Sequence, residues 1–302
     1  MADNREKFDD FLRKEVERID GNAVSVKAPL TECMFVKKVP IDKLHPNPSD
    51  EFCWQNIGPN YGIIAQYEAN YRRFGNMKKP GELAEEPIQV EKIYPDGYMI
   101  LNGHHRWAAY RRLGVKRVAV SIVNLTQETD IRKMVAMSEH DKRVTMDLDE
   151  VIFCEEDPVH AERPLPFPLN KMYKERLRKG IPSLLHYLSK NGYDVWLYSS
   201  GYYSKDYLSG YFKKYSVKVD GIITGTARKI KEKEKEEAKK QTEKLFAEHY
   251  KETLHIDRKT LLYINSEKGT FDDFEIEASE ENWAKTVVGI VRRLEKRAKE
   301  NR

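Results

Sequence analysis

The sequence predicts a mixed α/β protein built as two consecutive parts, and three observations carry that prediction. Residues 87–123 read as a strand, a tight turn, a second strand, a short helix and a third strand. Residues 144–198 read strand, helix, strand, an order that implies a parallel crossover with both strand ends on one edge of a sheet. A chain of 302 residues, 40% hydrophobic, is long enough for about two domains.

Each element has a local cause. Phe8, Phe11, Leu12, Val16 and Ile19 fall on one face of an amphipathic helix that stops near Gly21. Phe35 to Pro48 reads as a strand running into a turn punctuated by prolines. Tyr61 to Phe74 reads as a helix closed by Gly75. Pro87 to Ile93 alternates apolar and polar residues, Pro95-Asp-Gly97 turns the chain, and Tyr98 to Leu101 pairs back as a hairpin. Asn102-Gly-His-His-Arg106 then leads into a short helix ended by Gly114, and Arg117 to Val123 supplies another alternating strand. Residues 126–142 read as a helical connector. Beyond it come strand Val144 to Asp147, helix Ile181 to Lys190 with Pro182 in its first turn, strand Val195 to Tyr198, and a candidate strand Thr260 to Ile264. A C-terminal amphipathic helix carries Trp283, Val287, Val288, Ile290, Val291 and Leu294.

Two segments point to phosphoryl chemistry. In the first, Gly103 permits a tight turn and close approach of a ligand, and the helix it opens favours an anion at its amino end. Asn102, His104, His105 and Arg106 add side-chain donors, and Arg106 suits bidentate contact with a phosphate. A solvated helix start is the plain alternative, whereas a two-histidine metal site is disfavoured because adjacent helical residues diverge. In the second, Asp147 and Asp149 end an apolar strand, and at spacing i, i+2 they are expected to share a face. Two such close carboxylates suit a cation or phosphoryl group between them, and Ser199-Ser200 ends the neighbouring strand.

Residues 34–125 resemble the ParB/sulfiredoxin-like domain, on Val39 to Pro48 and on Asn102-Gly-His-His-Arg106 followed by Trp107 to Gly114. His104 stands where sulfiredoxins carry cysteine, and the box is closest to the Asp-Gly-His-Thr-Arg of the free serine kinases, with Asn102 replacing the aspartate. The resemblance implies binding of ATP, ADP or CTP. It also implies an acid early in the domain that activates a hydroxyl, for which Asp50 and Glu51 are candidates.

Residues 143–300 resemble the haloacid dehalogenase-like (HAD) phosphatases, on the Asp147-x-Asp149 and Ser199 motifs. The resemblance implies Asp147 as nucleophile, Asp149 as acid and base, Ser199 and Ser200 on the phosphoryl group, and Mg²⁺ to offset the charge. Lys229 and Lys231 are candidates for the phosphate-binding lysine. Because the candidate fourth strand ends in Asn265-Ser266, Asp272 and Asp273 would have to fold back to the metal beside Asp147 and Asp149.

The expected organisation is a lead-in helix over 1–30, a ParB/sulfiredoxin-like nucleotide-binding domain over 31–125, a connector over 126–142, and a Rossmann-like HAD three-layer α/β domain over 143–302. The expected function is two-domain phosphoryl transfer on a phosphate ester, with a nucleotide-gated switch for nucleic acid or protein as the alternative. Three scattered cysteines, Cys33, Cys53 and Cys154, give no disulfide or zinc pattern. A charged amino terminus and the absence of a long apolar run make the expected location cytoplasmic. The net charge of +4 is too small to imply nucleic-acid binding, and the Lys/Glu run from Arg228 to Lys240 reads as a solvated helix.

Overall fold

The computed structural model describes residues 2–78, 85–154 and 158–300. The chain forms two compact units, one of residues 1–125 with 228–235 and the other of residues 126–227 with 236–302. The segment expected as a connector therefore opens the second unit, and part of the Lys/Glu run belongs to the first.

The first unit begins with helix α1 (Ala2–Ile19), strand β1 (Val24–Ser25), helix α2 (Leu30–Cys33), and strands β2 (Lys37–Pro40) and β3 (Leu44–His45). Helix α3 (Tyr61–Phe74), the hairpin of β4 (Ile88–Tyr94) and β5 (Tyr98–Asn102), helix α4 (His104–Arg112) and β6 (Arg117–Ile122) follow. The sheet order is β2-β6-β4-β5-β3, with β1 pairing onto β4. Ile88 and Val90 of β4, Ile100 of β5, and Val120 and Ile122 of β6 meet Ile64 of α3 and Trp107 of α4 in one core. Phe8 and Leu12 of α1 are buried in that same core, so the predicted amphipathic face packs on this unit.

The second unit holds α5 (Glu128–Ala136), β7 (Lys142–Asp147), α6 (Leu169–Met172), α7 (Ile181–Lys190), β8 (Tyr193–Tyr198), α8 (Lys205–Lys214) and β9 (Gly221–Ile223). Helix α9 (Glu232–His249) leads to β10 (Glu252–Ile256), β11 (Thr260–Asn265), β12 (Thr270–Glu275) and α10 (Trp283–Glu300). The sheet order is β12-β11-β10-β7-β8-β9; β10, β7, β8 and β9 are parallel, and β11 and β12 antiparallel. Val144 and Met146 of β7 point to a core shared with α7, α8 and α10. The opposite face carries Trp196 and Ile223 against Ile131 and Val135 of α5 and Phe246 of α9. Helices thus cover both faces, giving three layers, as expected.

Trp196 sets a packing constraint on that second face. It is fully buried, its indole N–H donates to the Tyr250 hydroxyl at 2.8 Å, and Gly221 of β9 lies beneath its ring. A methyl group at 221 would sit 2.0 Å from the indole. Gly221→Ala is therefore expected to destabilise the protein by about 3 kcal/mol through overpacking. An unchanged midpoint in denaturant would contradict that packing.

Among the described residues, no helix is long and apolar enough to cross a membrane.

Candidate phosphate-binding cleft and the carboxyl edge of the second sheet

The turn between β5 and α4 builds a cleft in the first unit. Gly103 is the N-cap of α4, in the left-handed region at φ 103° and ψ 22°, a conformation that glycine adopts without strain. No side chain caps this helix. The amides of its first turn have no partner within the helix and form an anion-binding end. Asp50, Ile63, Tyr67, Glu86 and residues 101–106 line the cleft, whose volume is about 330 Å³. That volume lies at the lower end of the range for small-molecule sites. Arg106 is buried, and its guanidinium packs against the Cα of Gly103. Asn102 is exposed at the end of β5, its side-chain amide 3.4 Å from the Gln89 side-chain oxygen.

The Nε2 atoms of the two histidines, expected as side-chain donors, accept hydrogen bonds instead. His104 Nε2 accepts the backbone N–H of Asn47 at 3.2 Å, and His105 Nε2 accepts that of Asn60 at 3.2 Å. Phe52 sits against both rings, stacked on His104 at 5.4 Å and edge-on to His105 at 5.0 Å. Both rings pin the preceding loop and keep Nε2 unprotonated to do so. Burial pushes His104 down to about 4, offset in part by Asp50, whose carboxylate lies 3.9 Å from Nδ1. Burial also lowers His105. The physical cause is that a ring enclosed by an aromatic neighbour and a backbone amide loses more to desolvation than Asp50 returns to its charged form.

His104 carries a pH dependence of stability. Its folded pKa lies below the ordinary 6.5, so between pH 6.5 and about 4 the unfolded chain takes up a proton that the native chain refuses. Stability is complete above that window and is lost as pH falls through it, by up to ~3 kcal/mol. His104→Gln is expected to flatten the dependence of the denaturation midpoint on pH between 7 and 4. An unaltered slope would contradict the assignment.

The segment 228–235 also belongs to this unit. Lys229 pairs with Glu51 at 2.8 Å, Lys231 with Asp20 at 3.0 Å, and Arg228 with the buried Glu91 at 2.9 Å. The two lysines expected at the HAD phosphate site are thus engaged with carboxylates of the first unit. Glu51, an early candidate acid, holds Lys229, whereas Asp50 lines the cleft.

In the second unit the parallel strands bring Asp147 and Ser199 to one edge, as predicted. The expected shared strand face does not form. Strand β7 stops at Asp147, and residues 148–152 make one π turn, so strand alternation no longer governs Asp149. Asp147 causes this itself: its Oδ1 accepts the backbone N–H groups of Asp149 at 2.7 Å and Glu150 at 2.8 Å, as an N-cap does. Asp149 Oδ2 accepts the hydroxyl of Ser199 at 2.7 Å, and Ser199 Oγ accepts the N–H of Gly201 at 2.9 Å. Ser199 is fully buried and Ser200 is exposed. No hydrogen bond among the described residues engages Asp147 Oδ2 or Asp149 Oδ1.

The expected four-carboxylate metal site is not formed. Asp272 and Asp273 are exposed on β12. That strand is three positions from β7 in the sheet, about 14 Å at ordinary strand spacing. Asp273 is level with Leu262, His255 and Thr145, two residues short of Asp147. Among the described residues, no three His, Cys, Asp or Glu side chains stand together as a metal cage. The fourth parallel strand is β10 rather than Thr260 to Ile264; it ends at Ile256, paired with Met146, so that Asp257 follows just beyond it, next to the end of β7. Asn265 and Ser266 close the β11–β12 turn at the opposite edge, level with Glu252, so their lack of charge says nothing of the site. Asp257 was legible as the acid ending Thr253-Leu-His-Ile256, but the more apolar run Leu261-Leu-Tyr-Ile264 outweighed it.

Residues 75–139 match the model of the ParB N-terminal domain, a span that contains the β4–β5 hairpin and the Gly103 turn. Among solved structures, the chain is similar to the C-terminally truncated chromosome-partitioning protein ParB from Caulobacter crescentus complexed with CTP-gamma-S. The identity is 24% over 35% of this chain and 56% of that one, with a TM-score of 0.23. It is also similar to a mutant free serine kinase in complex with AMP, at 14% identity over 82% of this chain and 93% of that one, with a TM-score of 0.23. The chain spans 56% of the length of the ParB chain it matches. No curated protein matches the chain.

Proposed function

We propose that the first unit binds a nucleotide by its phosphates at the Gly103 turn, and that the second unit transfers or hydrolyses a phosphoryl group at Asp147. The observation that carries the first half is the uncapped amino end of α4, opened by a left-handed glycine and backed by a buried arginine within a cleft. The ParB N-terminal match over the same residues supports it. Backbone amides of residues 104–106 and the Arg106 guanidinium hold the phosphates, while Ile63 and Tyr67 of α3 offer the base an apolar wall. ATP, ADP and CTP are the candidate ligands. The test is a calorimetric titration of the full chain with each. Saturable binding supports the reading, and no heat with any of the three refutes it.

A separate observation favours the second half: parallel strands β10, β7 and β8 bring Asp257, Asp147 and Ser199 to one edge, where Ser199 donates to Asp149. On this reading the edge would serve as a HAD-like site, since ligands of open α/β sheets bind at the carboxyl ends of the strands. Two amides orient Asp147 Oδ1 and leave Oδ2 for attack on phosphorus. An Asp147 oxygen–phosphorus bond forms as the ester oxygen–phosphorus bond breaks, and Asp149 gives its proton to the departing oxygen. Water, deprotonated by Asp149, then attacks phosphorus and restores the Asp147 carboxylate. Asp147, with Asp257 on the same edge, would hold Mg²⁺, a cation that needs few carboxylates when substrate oxygens complete its shell and that offsets the phosphoryl charge, leaving Asp149 to carry its proton. Phosphate release from nucleotides, phosphosugars, phosphoserine and phosphorylated oligonucleotides tests this half and identifies the ester class. Well-folded protein that releases none would contradict it.

A further inference from the structure

The residue best placed to bind phosphate is already occupied by an internal anion. Arg106 Nη1 donates to the backbone carbonyl of Glu86, and Nη2 lies 3.5 Å from Glu86 Oε2. The guanidinium has little freedom to turn elsewhere. It is buried, and a Cβ on Gly103 would lie 3.2 Å from Nη2 and 3.4 Å from Nε. One residue earlier, the Glu85 carboxylate accepts the hydroxyl of Tyr110, one turn along α4. Glu85 and Glu86 therefore grip the box helix at two successive points, both within the first unit.

The two partners of the ion pair differ in freedom. The Glu86 side chain is 55% exposed against 7% for Arg106, so the carboxylate can swing into water at little cost while the arginine stays. A carboxylate and a phosphate ask the same thing of a guanidinium, two acceptor oxygens in its plane. Both cannot have it at once.

We infer that Glu86 is a displaceable internal anion that holds Arg106 in the ligand-free chain, so that a nucleotide phosphate binds there only by expelling the Glu86 carboxylate. This rests on the nucleotide reading of the cleft and adds a determinant of its affinity. Nucleotide binding and release of residues 85–86 are then linked: whatever strengthens the Glu86 contact weakens the nucleotide by the same factor. The backbone carbonyl of Glu86 remains as the hinge contact that keeps Nη1 in place.

The test is calorimetric titration of ATP, ADP and CTP into the full chain, into Glu86→Gln and into Arg106→Ala, with hydrogen exchange of residues 85–88 followed alongside. Because an ion pair with one exposed partner contributes little, Glu86→Gln is expected to bind nucleotide about twofold to fivefold more tightly than wild type. In wild type, saturating nucleotide is expected to speed exchange at Glu86. Tyr110→Phe, which frees Glu85 without touching Arg106, is expected to shift affinity in the same direction. Equal or weaker binding by Glu86→Gln, with Arg106-dependent binding intact, would overturn the inference alone and make Glu86 a residue that positions the guanidinium. Absence of Arg106-dependent binding in wild type would overturn the cleft reading and the inference together.

Discussion

Arg106→Ala is expected to weaken nucleotide binding by about a hundredfold, the usual cost of removing a charged hydrogen-bond donor from a desolvated contact. The guanidinium is buried beside Gly103, so a phosphate that reaches the amides of α4 also reaches Arg106. Arg106→Lys keeps the charge but loses the planar fork, and is expected to recover part of the loss, to about tenfold below wild type. The comparison separates charge from geometry. Equal affinities for wild type and Arg106→Ala, measured by calorimetry on folded protein, would remove this residue from the site.

Asp147→Asn is expected to lower phosphate release by at least about a thousandfold, because the amide oxygen is no nucleophile toward phosphorus. The substitution is conservative in structure. An asparagine Oδ1 can still accept the N–H groups of Asp149 and Glu150, so the π turn should persist. Ser199→Ala should lower the rate less, since it removes one donor to Asp149 and leaves the nucleophile. Full activity in Asp147→Asn, measured as phosphate release per enzyme, would place the chemistry elsewhere.

Much of the fold was legible because the local signals agreed with one another. The β4–β5 hairpin, the Gly103 turn and the helix after it form where turn residues and alternation placed them, and the match to the ParB N-terminal domain covers them. The three layers of the second unit likewise follow from the strand–helix–strand order at Val144 to Tyr198. What was not legible depended on tertiary partners. Nothing local shows that His104 and His105 will spend their Nε2 atoms on Asn47 and Asn60, residues more than forty positions away.

The fourth strand failed for a different reason. Apolar content favoured Leu261 to Ile264, but pairing with β7 falls to Glu252–Ile256, and the run after it turns back antiparallel. That single shift puts Asp257, rather than Asp272 or Asp273, at the strand end beside β7. The fate of Lys229 and Lys231 was equally hidden. A Lys/Glu run looks solvated from sequence, yet its first residues are drawn to Glu51 and Asp20. The Glu86 contact with Arg106 joins residues on either side of a hairpin, which no pattern within either segment reveals.

The most direct test of the account is to watch the backbone amides of residues 103–106 by nitrogen-resolved nuclear magnetic resonance while ATP, ADP or CTP is added to the full chain. Phosphate docking at the amino end of α4 predicts large, saturable shifts at Gly103, His104, His105 and Arg106, absent in Arg106→Ala at the same nucleotide concentration. Binding that leaves these four amides unmoved and shifts others would contradict the site on which the account depends.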